Sequence, residues 1–443
     1  MSQPGMADLL PPLEQGRPAG SGRHPLLRLR YQLLGGVLVS IGLPLLVRLA
    51  IDWQAALAIN NQVTVPAALV AHLLGYMIYK RLNVFPGVAA FSTILPAFAI
   101  SYGLVFVSIF FLRLDYSRFQ AGSSFLISAS WYFGLSAFVR RLEPYRLAIV
   151  PRGDVERLMR VDGVIWERLA SPEARPARVQ GVVADLASDL PETWERFITG
   201  CVLAGLPVYN VKQILESLTG RVAIEHLSEN TLGSLNPNQV YFGVKQALDW
   251  LGAIAVLVIG APLLLIVAAA IRLETPGPAL FRQERMGYRG RLFTLYKFRT
   301  MRMAGEDDSG ESDGRGEKDR AITQEGDRRI TRIGRVLRRT RIDELPQALN
   351  VLRGEMSWIG PRPEAAVLSR WYEGELPFYP YRHIVRPGIT GWAQVNQGHV
   401  ASVREVHEKL YYDFYYIKNF SPWLDLVVAL RTVRIMLTGF GAK

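Results

Sequence analysis

The densest group of residues that could carry chemistry lies in the last third of the chain. Asp343 and Glu344 stand just before Pro346, which marks the first turn of a short predicted helix. A carboxylate at a helix start accepts backbone N–H bonds and meets the positive end of the dipole, so we expect Asp343 to be ionised. Beside Arg338 and Arg341 it could attack a phosphorus atom whose charge the arginines screen. A plain helix cap is the alternative.

Two further arginines stand in rigid or turn-like surroundings. Arg362 is flanked by Pro361 and Pro363, which restrict its backbone as a preorganised phosphate clamp requires. Arg386 opens the stretch Arg386–Trp392, whose glycines and aromatic residue could cradle a phosphate or stack on a base. These residues predict a site for phosphate-bearing substrates.

The segment before Asp343 has the pattern of a helix in a membrane interface. Ile330, Ile333 and Leu337 recur at helical spacing, which predicts an apolar side that faces the lipid. Arginines at the level of the head groups cover the other faces: Arg328, Arg329, Arg332, Arg335 and Arg339. An ordinary surface helix has the same pattern, and the apolar runs elsewhere favour the membrane.

Composition also favours a membrane protein that handles phosphates. The 443 residues are 49% hydrophobic with a net charge of +12, and their mean hydropathy is +0.13. Positive charge suits nucleic acid, anionic lipid or phosphate-bearing substrates, and the long apolar runs argue against nucleic acid. The single cysteine, Cys201, excludes an intramolecular disulfide and a cysteine-based zinc site.

The N-terminal part predicts a membrane bundle. Residues 1–28 lack apolar periodicity and predict a mobile tail that is not a cleaved signal peptide. Residues 29–140 predict four transmembrane helices, each near the length of a bilayer core. The apolar runs are Tyr31–Ile51, Val63–Tyr79, Gly87–Leu112 and Ser123–Val139.

Flanking basic residues predict the orientation of this bundle. They precede the first run, separate the second from the third and follow the fourth, which places both ends of the bundle in the cytoplasm. These residues are Arg17, Arg23, Arg28, Arg30, Lys80, Arg81, Arg140, Arg141 and Arg146. Arg113 and Arg118, in the loop between the third and fourth runs, go against the rule.

Residues 141–240 predict a soluble, cytoplasmic α/β module. Strand candidates Leu147–Val150 and Val179–Val183 precede helix candidates Thr193–Leu206 and Val211–Leu218. The pattern resembles a Rossmann-like nucleotide-binding fold, but no G-x-G-x-x-G follows either strand. We therefore interpret the module as degenerate, with a structural or regulatory role.

A fifth apolar run, Leu248–Leu273, contains Pro262 near its centre, where a proline breaks the helix. Basic residues at both ends, among them Lys245 and Arg282, predict that both ends are cytoplasmic. The run therefore predicts a re-entrant membrane helix over residues 248–273, with a kinked transmembrane helix as the alternative.

Residues 302–327 are acidic and rich in glycine and predict a mobile loop. The cluster Glu306–Asp308 within it has no metal-ligand spacing.

A series of motifs follows in order through residues 241–443. They are Lys245–Asp249, Thr275–Pro278, Phe281–Arg285, Lys297–Met301, Asp343–Gln347, Gly360–Pro363, Arg386–Trp392 and Tyr412–Asn419. In this order they resemble the catalytic domain of the bacterial polyprenyl-phosphate hexose-1-phosphate transferases. Four N-terminal spans and an α/β module are similar to the larger members of that family. The resemblance implies a mainly helical catalytic domain at the cytoplasmic face of the bacterial inner membrane.

The resemblance also implies a mechanism. In similar proteins the aspartate attacks the β-phosphate of a UDP-sugar, releases UMP and forms a sugar-phosphoryl-enzyme, which a polyprenyl phosphate then resolves. Asp343 takes the place of this nucleophile, and Glu344 takes the place of the glutamate associated with Mg²⁺. The residues implied to contact substrate phosphates are Arg338, Arg362, Lys297, Arg299 and Arg386. We expect Mg²⁺ independently, because phosphates that converge on a carboxylate require additional positive charge.

The implied partners are a UDP-sugar, undecaprenyl phosphate, inner-membrane lipid and a second copy of the chain, with no nucleic acid. The implied process is the first membrane step of polysaccharide synthesis. One departure concerns the membrane helix, where Ala261-Pro262 replaces the Ser-Pro that is frequent in the family. Two alternatives stay open: a catalytically degenerate membrane scaffold, and a nucleotide-sugar-modifying enzyme built on the α/β module.

Overall fold

The computed structural model describes residues 29–82, 90–142, 146–161, 163–174, 179–222, 237–302, 329–397 and 403–438. The predicted tail at 1–28 and nearly all of the predicted acidic loop at 302–327 lie outside these residues. The chain divides into two compact units, Met1–Gly220 and Arg221–Lys443.

The first unit begins with a bundle of long helices. A π-helical turn, Leu38–Gly42, joins the first two helices into one continuous stretch. The helices are α1 (Leu29–Val37), α2 (Leu43–Ile51), α3 (Trp53–Leu57), α4 (Ile59–Leu82), α5 (Ala90–Phe111) and α6 (Arg118–Leu142).

Four helical stretches among the described residues are long and apolar enough to cross a membrane. They are Arg30–Ile51, Ile59–Leu82, Thr93–Phe111 and, in the second unit, Gln239–Ile259. The fourth predicted span, Ser123–Val139, lies within α6, which has the length of a span but is less apolar. Its polar residues Gln120, Ser124 and Ser128 are fully buried inside the bundle, so they do not face the surroundings of the protein.

Polar contacts run through the interior of this bundle. Nδ1 of His72 lies 3.1 Å from Oγ of Ser40 and 2.9 Å from Oγ of Ser128. The hydroxyl of Tyr102 lies 3.1 Å from the same serine. Such contacts between helices supply the directional packing that a lipid environment does not provide through hydrophobicity.

The α/β module follows as a four-stranded parallel sheet of order β2-β1-β3-β4. Its elements are β1 (Arg146–Ile149), β2 (Ile165–Arg168), β3 (Gly181–Ala184), α7 (Glu192–Leu203), β4 (Val208–Asn210) and α8 (Val211–Thr219). Side chains of successive β1 residues point to opposite faces: Leu147 packs with Ile214 of α8, whereas Ala148 packs with Trp194 of α7. Helices therefore cover both faces of a buried parallel sheet. The strand β2 is absent from the sequence interpretation.

The second unit opens with two consecutive helices, α9 (Gln239–Ile259) and α10 (Ala261–Glu274). The helical structure is interrupted at Gly260, which separates α9 from α10. Pro262 stands in the first turn of α10, where a proline is tolerated. Apolar side chains on both sides of the interruption are exposed, among them Ile259 at 80% and Leu265 at 71%.

Both helices pack on one antiparallel hairpin of β5 (Leu280–Met286) and β6 (Leu292–Phe298). Ala253 of α9 packs with Phe293 of β6. Val267 of α10 packs with Phe298 of the same strand. The chain segments before and after Gly260 therefore lie against the same hairpin.

The rest of the second unit consists of short helices, 3-10 turns and a two-stranded parallel sheet. The helices are α11 (Arg332–Thr340), α12 (Ala348–Leu352), α13 (Ala366–Glu375), α14 (Trp392–Gln397), α15 (Val403–Lys418) and α16 (Pro422–Thr438). The strands of the sheet are β7 (Ser357–Ile359) and β8 (Gly388–Thr390).

The placement of α11 corrects the expectation that its apolar side faces lipid. Leu337 is buried and packs, together with Ile333, against Val267 and Ile271 of α10. The carboxylate of Glu274 at the end of α10 accepts hydrogen bonds from backbone N–H groups in the first turn of α11. The protein itself therefore covers Ile333 and Leu337, two of the three residues in the apolar stripe that the sequence interpretation assigned to the membrane.

Candidate active site

A sharp reversal of the chain positions the two carboxylates. Helix α11 ends at Thr340, and the next residue, Arg341, has a φ of +59° in the left-handed region that a non-glycine residue rarely adopts. The 3-10 turn Ile342–Gln347 follows at once and buries Asp343 and Glu344, which are 8% and 7% exposed. Arg341, and not Asp343, occupies the position that precedes the turn. The interpretation of Asp343 as a helix cap was therefore wrong.

Asp343 has an unusual combination of burial and missing hydrogen bonds. Its Oδ1 atom is buried and has no hydrogen-bond partner in the part of the chain that the structure describes. Burial, and next the neighbouring charge of Glu344, raise the pKa of Asp343 to about 6. The expectation that local interactions favour its ionised form was therefore also wrong, because no backbone N–H replaces the lost water at Oδ1.

Glu344 is held by arginines. Its Oε1 accepts a hydrogen bond from Nη2 of Arg362 at 2.9 Å and lies 3.6 Å from Nη1 of Arg341. Burial alone would raise the pKa of Glu344, but the charges of Arg362 and Arg341 outweigh it and hold that pKa below its ordinary value. Glu344 is thus a fixed negative charge beside Asp343.

Lys297 contributes positive charge from the hairpin. It lies on β6 opposite Phe281, with its Nζ 4.9 Å from the centroid of that ring. Burial, and next the charge of Arg285 and Arg362, lower the pKa of Lys297 to about 8. The charge of Asp343 acts in the opposite direction, which places Lys297 within electrostatic range of that carboxylate.

The loop that carries Arg362 is fixed by backbone contacts. The N–H of Gly388 donates to the carbonyl oxygen of Pro361 at 3.0 Å, and the N–H of Gly360 donates to the carbonyl oxygen of Thr390 at 2.9 Å. A Cβ atom on Gly388 would lie 2.1 Å from the backbone nitrogen of Gly360. Only glycine permits this close approach of the two strands.

These groups form a cluster of cations around one buried carboxylate, whose Oδ1 has no hydrogen-bond partner among the described residues. The cations whose charge acts on Asp343 are Lys297, Arg341 and Arg362. A carboxylate in such surroundings is suited to attack a phosphorus atom, because the cations stabilise negative charge on the phosphate oxygens.

Comparison with known proteins identifies the family of the chain. The model of the bacterial sugar transferase family matches residues 240–439. A relative from Aeromonas hydrophila, a UDP-N-acetylgalactosamine-undecaprenyl-phosphate N-acetylgalactosaminephosphotransferase, is 43% identical over 92% of this chain and 94% of its own length. The chain belongs to the bacterial sugar transferase family. It is therefore a transferase enzyme.

Two other relatives share a shorter part of this sugar transferase. The UDP-glucose:undecaprenyl-phosphate glucose-1-phosphate transferase of Caulobacter vibrioides is 46% identical over 44% of this chain and 70% of that protein. The exopolysaccharide production protein PSS of Rhizobium leguminosarum is 42% identical over 44% of this chain and 96% of that protein.

Two of the arginines predicted to contact phosphate have other partners in the structure of the transferase. Arg299 is buried, and its guanidinium donates to the carbonyl oxygens of Thr275 and Pro276 at 2.8 and 2.6 Å. This geometry gives Arg299 a structural role in the turn that follows α10. Arg386 lies 4.9 Å from the centroid of the Phe242 ring, in a separate cavity whose lining includes Asp249 of α9.

Arg338 stays near the predicted place. Its Nε donates to Oγ1 of Thr300 at 3.0 Å, and its charge acts on Lys297. It therefore belongs to the same cluster of cations as Lys297.

Sequence reasoning missed two arginines that support the site. Nη1 of Arg285 donates to the carbonyl oxygen of Pro363 at 2.8 Å, and Nη2 of Arg382 donates to the carbonyl oxygen of Arg362 at 2.9 Å. Arg285 stands inside one of the motifs, but its partner lies 78 positions further along the chain. Residue spacing carried no signal for such a contact.

The carboxylate pair of the transferase fits a divalent cation that is bound together with a phosphate. The unsatisfied Oδ1 of Asp343 is a hard oxygen donor of the kind that Mg²⁺ prefers. Among the described residues no group of three or more histidine, cysteine or acidic side chains could hold a metal ion. Asp343 and Glu344 would therefore share a cation with phosphate oxygens and water, as magnesium commonly does.

Proposed function

We propose that the protein transfers a sugar 1-phosphate from a UDP-sugar to undecaprenyl phosphate, as the first membrane step of a polysaccharide pathway. The names of the relatives from Aeromonas hydrophila and Caulobacter vibrioides describe this reaction. The observation that carries the proposal in this chain is the buried Oδ1 of Asp343, without a hydrogen-bond partner among the described residues and within range of three cations.

The proposed reaction has two displacements at one phosphorus atom. A carboxylate oxygen of Asp343 forms a bond to the phosphorus that carries the sugar, and the bond from that phosphorus to the bridging oxygen breaks, so UMP leaves. An oxygen of undecaprenyl phosphate then attacks the same phosphorus and breaks the bond to Asp343, which regenerates the carboxylate. Lys297, Arg338 and Arg362 stabilise the charge on the phosphate oxygens throughout.

A direct test measures UMP. Detergent-solubilised protein is given undecaprenyl phosphate and, in separate reactions, UDP-N-acetylgalactosamine, UDP-N-acetylglucosamine, UDP-glucose or UDP-galactose. We expect one of them to support continuous UMP release, and the name of the full-length relative makes UDP-N-acetylgalactosamine the first to try. Absence of UMP with every UDP-sugar, from folded protein, would favour the degenerate scaffold.

We further propose that Glu344, with Asp343, holds Mg²⁺, which when bound neutralises charge on the substrate phosphates. Glu344→Gln keeps the shape and one hydrogen-bond acceptor for Arg362 but removes the charge. We expect a lower rate and a half-activating Mg²⁺ concentration that is higher on the order of tenfold. The measurement is UMP release across a Mg²⁺ titration.

The control for this metal prediction is Glu284→Gln, at an exposed position of β5, which should titrate with Mg²⁺ like the wild type. Full activity of the wild type in excess EDTA would refute the magnesium proposal.

The re-entrant arrangement of residues 248–273 is likewise a proposal, supported by the shared hairpin. Because α9 and α10 both pack on β6, a straight span through the bilayer would pull one of them from the hairpin. In the re-entrant arrangement, the exposed apolar side chains near Gly260 would lie in the lipid. In this arrangement both ends of the segment lie on the same side of the membrane, and the flanking basic residues Lys245 and Arg282 favour the cytoplasmic side for them and for the active site.

This topology predicts a labelling pattern. With Cys201 replaced by Ser, we expect Gln239→Cys and Glu284→Cys to resist an impermeant thiol reagent in intact cells and to react after permeabilisation. Both positions are exposed in the structure, so protection would come from the membrane. Labelling of one position in intact cells would sink the re-entrant arrangement.

Pro262→Ala in the same cysteine variants tests whether Pro262 causes the re-entrant arrangement. It restores a helical N–H at the interruption, so a fraction of molecules should become labelled at residue 284. From the family resemblance we also propose that the protein is a homodimer, which the mass of the particle in detergent tests.

A further inference from the structure

A buried pair of charged residues, Arg382 and Asp413, contacts the loop that carries Arg362. Arg382 lies in the 3-10 turn Tyr379–Ile384, and Asp413 lies in α15. Their side chains are 3% and 2% exposed, and Nη2 of Arg382 donates to Oδ2 of Asp413 at 2.8 Å. The charges of this pair have thus been removed almost completely from water.

Arg382 makes three hydrogen bonds to three different residues. Besides the bond to Asp413, its Nη1 donates to the hydroxyl oxygen of Tyr379 at 2.8 Å. The third bond, from Nη2, reaches the carbonyl oxygen of Arg362 at 2.9 Å. A planar guanidinium can hold this arrangement, whereas an ammonium group offers no fixed fork.

The third bond connects the buried pair of Arg382 and Asp413 to the active site. The backbone of Arg362 accepts from Arg382, while its guanidinium donates to Oε1 of Glu344 at 2.9 Å. The next carbonyl oxygen, that of Pro363, accepts from Arg285. Glu364 then forms an ion pair with Lys409 of α15. Consecutive residues of the loop are therefore fixed by charged side chains.

Burial of an ion pair is a poor source of stability, because the cost of removing two charges from water offsets much of their attraction. Apolar residues of similar volume would hold α15 to the 3-10 turn equally well. They would not supply a donor aimed at the carbonyl oxygen of Arg362. The specific consequence of the pair is the position of that backbone.

We propose that Arg382, oriented by Asp413, is a positioning residue that fixes the backbone of Arg362 and thereby its guanidinium against Glu344. This inference rests on the proposed function, since the rate that it governs is that of UMP release. Among the described residues no hydrogen bond joins Arg382 to Asp343, so Arg382 acts through Arg362.

The test is a double-mutant cycle on single-turnover UMP release, with UDP-sugar and no lipid. Arg382→Lys keeps the charge that Asp413 requires but cannot make all three hydrogen bonds. We expect a folded protein whose rate is lower by about tenfold to a hundredfold, the scale of a small misplacement in an active site, with little change in KM. Arg362→Ala should lose a comparable factor.

The decisive result is the double variant. If Arg382 acts through Arg362, Arg382→Lys should add almost nothing in the Arg362→Ala background, since the group it positions is already gone. Asp425→Asn is the matched control: Asp425 is also buried, but it pairs with Lys245 of α9. The fold-change in rate caused by Asp425→Asn should multiply with the fold-change caused by Arg362→Ala, as expected for independent sites.

Two outcomes overturn the positioning role: a wild-type rate for Arg382→Lys, or fold-changes that multiply in the double variant. If Arg382→Lys does not fold, Tyr379→Phe replaces it, because it removes one partner of Arg382 and no charge. A smaller loss that is likewise absent in the Arg362→Ala background is then expected. Wild-type protein that releases no UMP counts against the proposed function instead, so the two failures are distinguishable.

Discussion

Asp343→Asn should leave a folded, membrane-inserted protein whose turnover is lower by about three orders of magnitude or more, the scale seen when a covalent nucleophile is removed. The amide has the shape of the carboxylate but cannot form a stable bond to phosphorus. The charges of Lys297, Arg341 and Arg362 remain in place, so substrate binding should persist. Arg362→Ala should instead retain a measurable rate, because a phosphate clamp lowers the activation free energy by only roughly a few kcal/mol.

The two half-reactions make this prediction specific. Wild-type protein with UDP-sugar and no lipid should release at most about one equivalent of UMP per active site, and the peptide with Asp343 should carry a phosphate labile to hydroxylamine. The asparagine variant should show neither. Near-normal turnover by this variant, or kinetics that require both substrates to be bound together, would assign Asp343 to metal binding alone.

The same substitution should stabilise the fold. Asp343 has an ordinary pKa of 3.8 and a folded pKa of about 6, so the folded state binds the proton more tightly than the unfolded chain. Stability is therefore lost as the pH rises from about 4 to 6 and the buried carboxyl must ionise. Asparagine avoids this cost, and we expect a gain of about 1 to 3 kcal/mol at pH 7.

Thermal unfolding of both proteins in detergent measures this gain, which should vanish at pH 4. An unfolding temperature for Asp343→Asn below that of the wild type at pH 7 would contradict it.

Local patterns were sufficient for much of the fold. The apolar runs predicted the long helices of the bundle, and Pro262 predicted an interruption close to Gly260, because both signals depend on neighbouring residues. The same holds for the strand β1 and the helix α8. The strand β2 was missed because its side chains are exposed or half-exposed, so Ile165–Arg168 shows no buried pattern.

The electrostatic character of the site could not be read in this way. Whether Asp343 is ionised depends on burial by segments distant in the chain, and the local helix-start argument predicted the opposite of what the structure shows. Arg299 and Arg386 have the residue type of phosphate ligands, but long-range packing directs them to a turn and to an aromatic ring. Residue type and motif order identified the region, whereas the direction of each side chain required the fold.

The shifted pKa values also predict how the rate depends on pH. Only ionised Asp343 can attack, and its pKa is about 6, so the rate of UMP release should fall about tenfold per pH unit below that value. At pH 4 it should be about a hundredfold lower than at pH 7. This fall in rate is the acidic limb of the pH profile. Glu344 does not contribute to the acidic limb near pH 6, because the arginines hold its pKa below the ordinary value.

The alkaline limb has a separate origin. The pKa of Lys297 is about 8, so above that pH the amine loses its charge and holds the substrate phosphates less firmly. Lys297→Arg should remove this limb, because a guanidinium stays charged, and should leave the acidic limb unchanged. The two limbs therefore report on different residues.

Single-turnover UMP release from pH 4 to 10 measures both limbs, and samples returned to pH 7 must regain their full rate, which shows that the protein did not unfold. Saturating Mg²⁺ should move the acidic limb to lower pH, since a cation beside Asp343 favours the carboxylate. A rate that is flat from pH 4 to 7 at the lowest Mg²⁺ concentration that supports UMP release would mean that Asp343 ionises like an exposed aspartate. The buried, unsatisfied Oδ1 would then not describe the state that reacts.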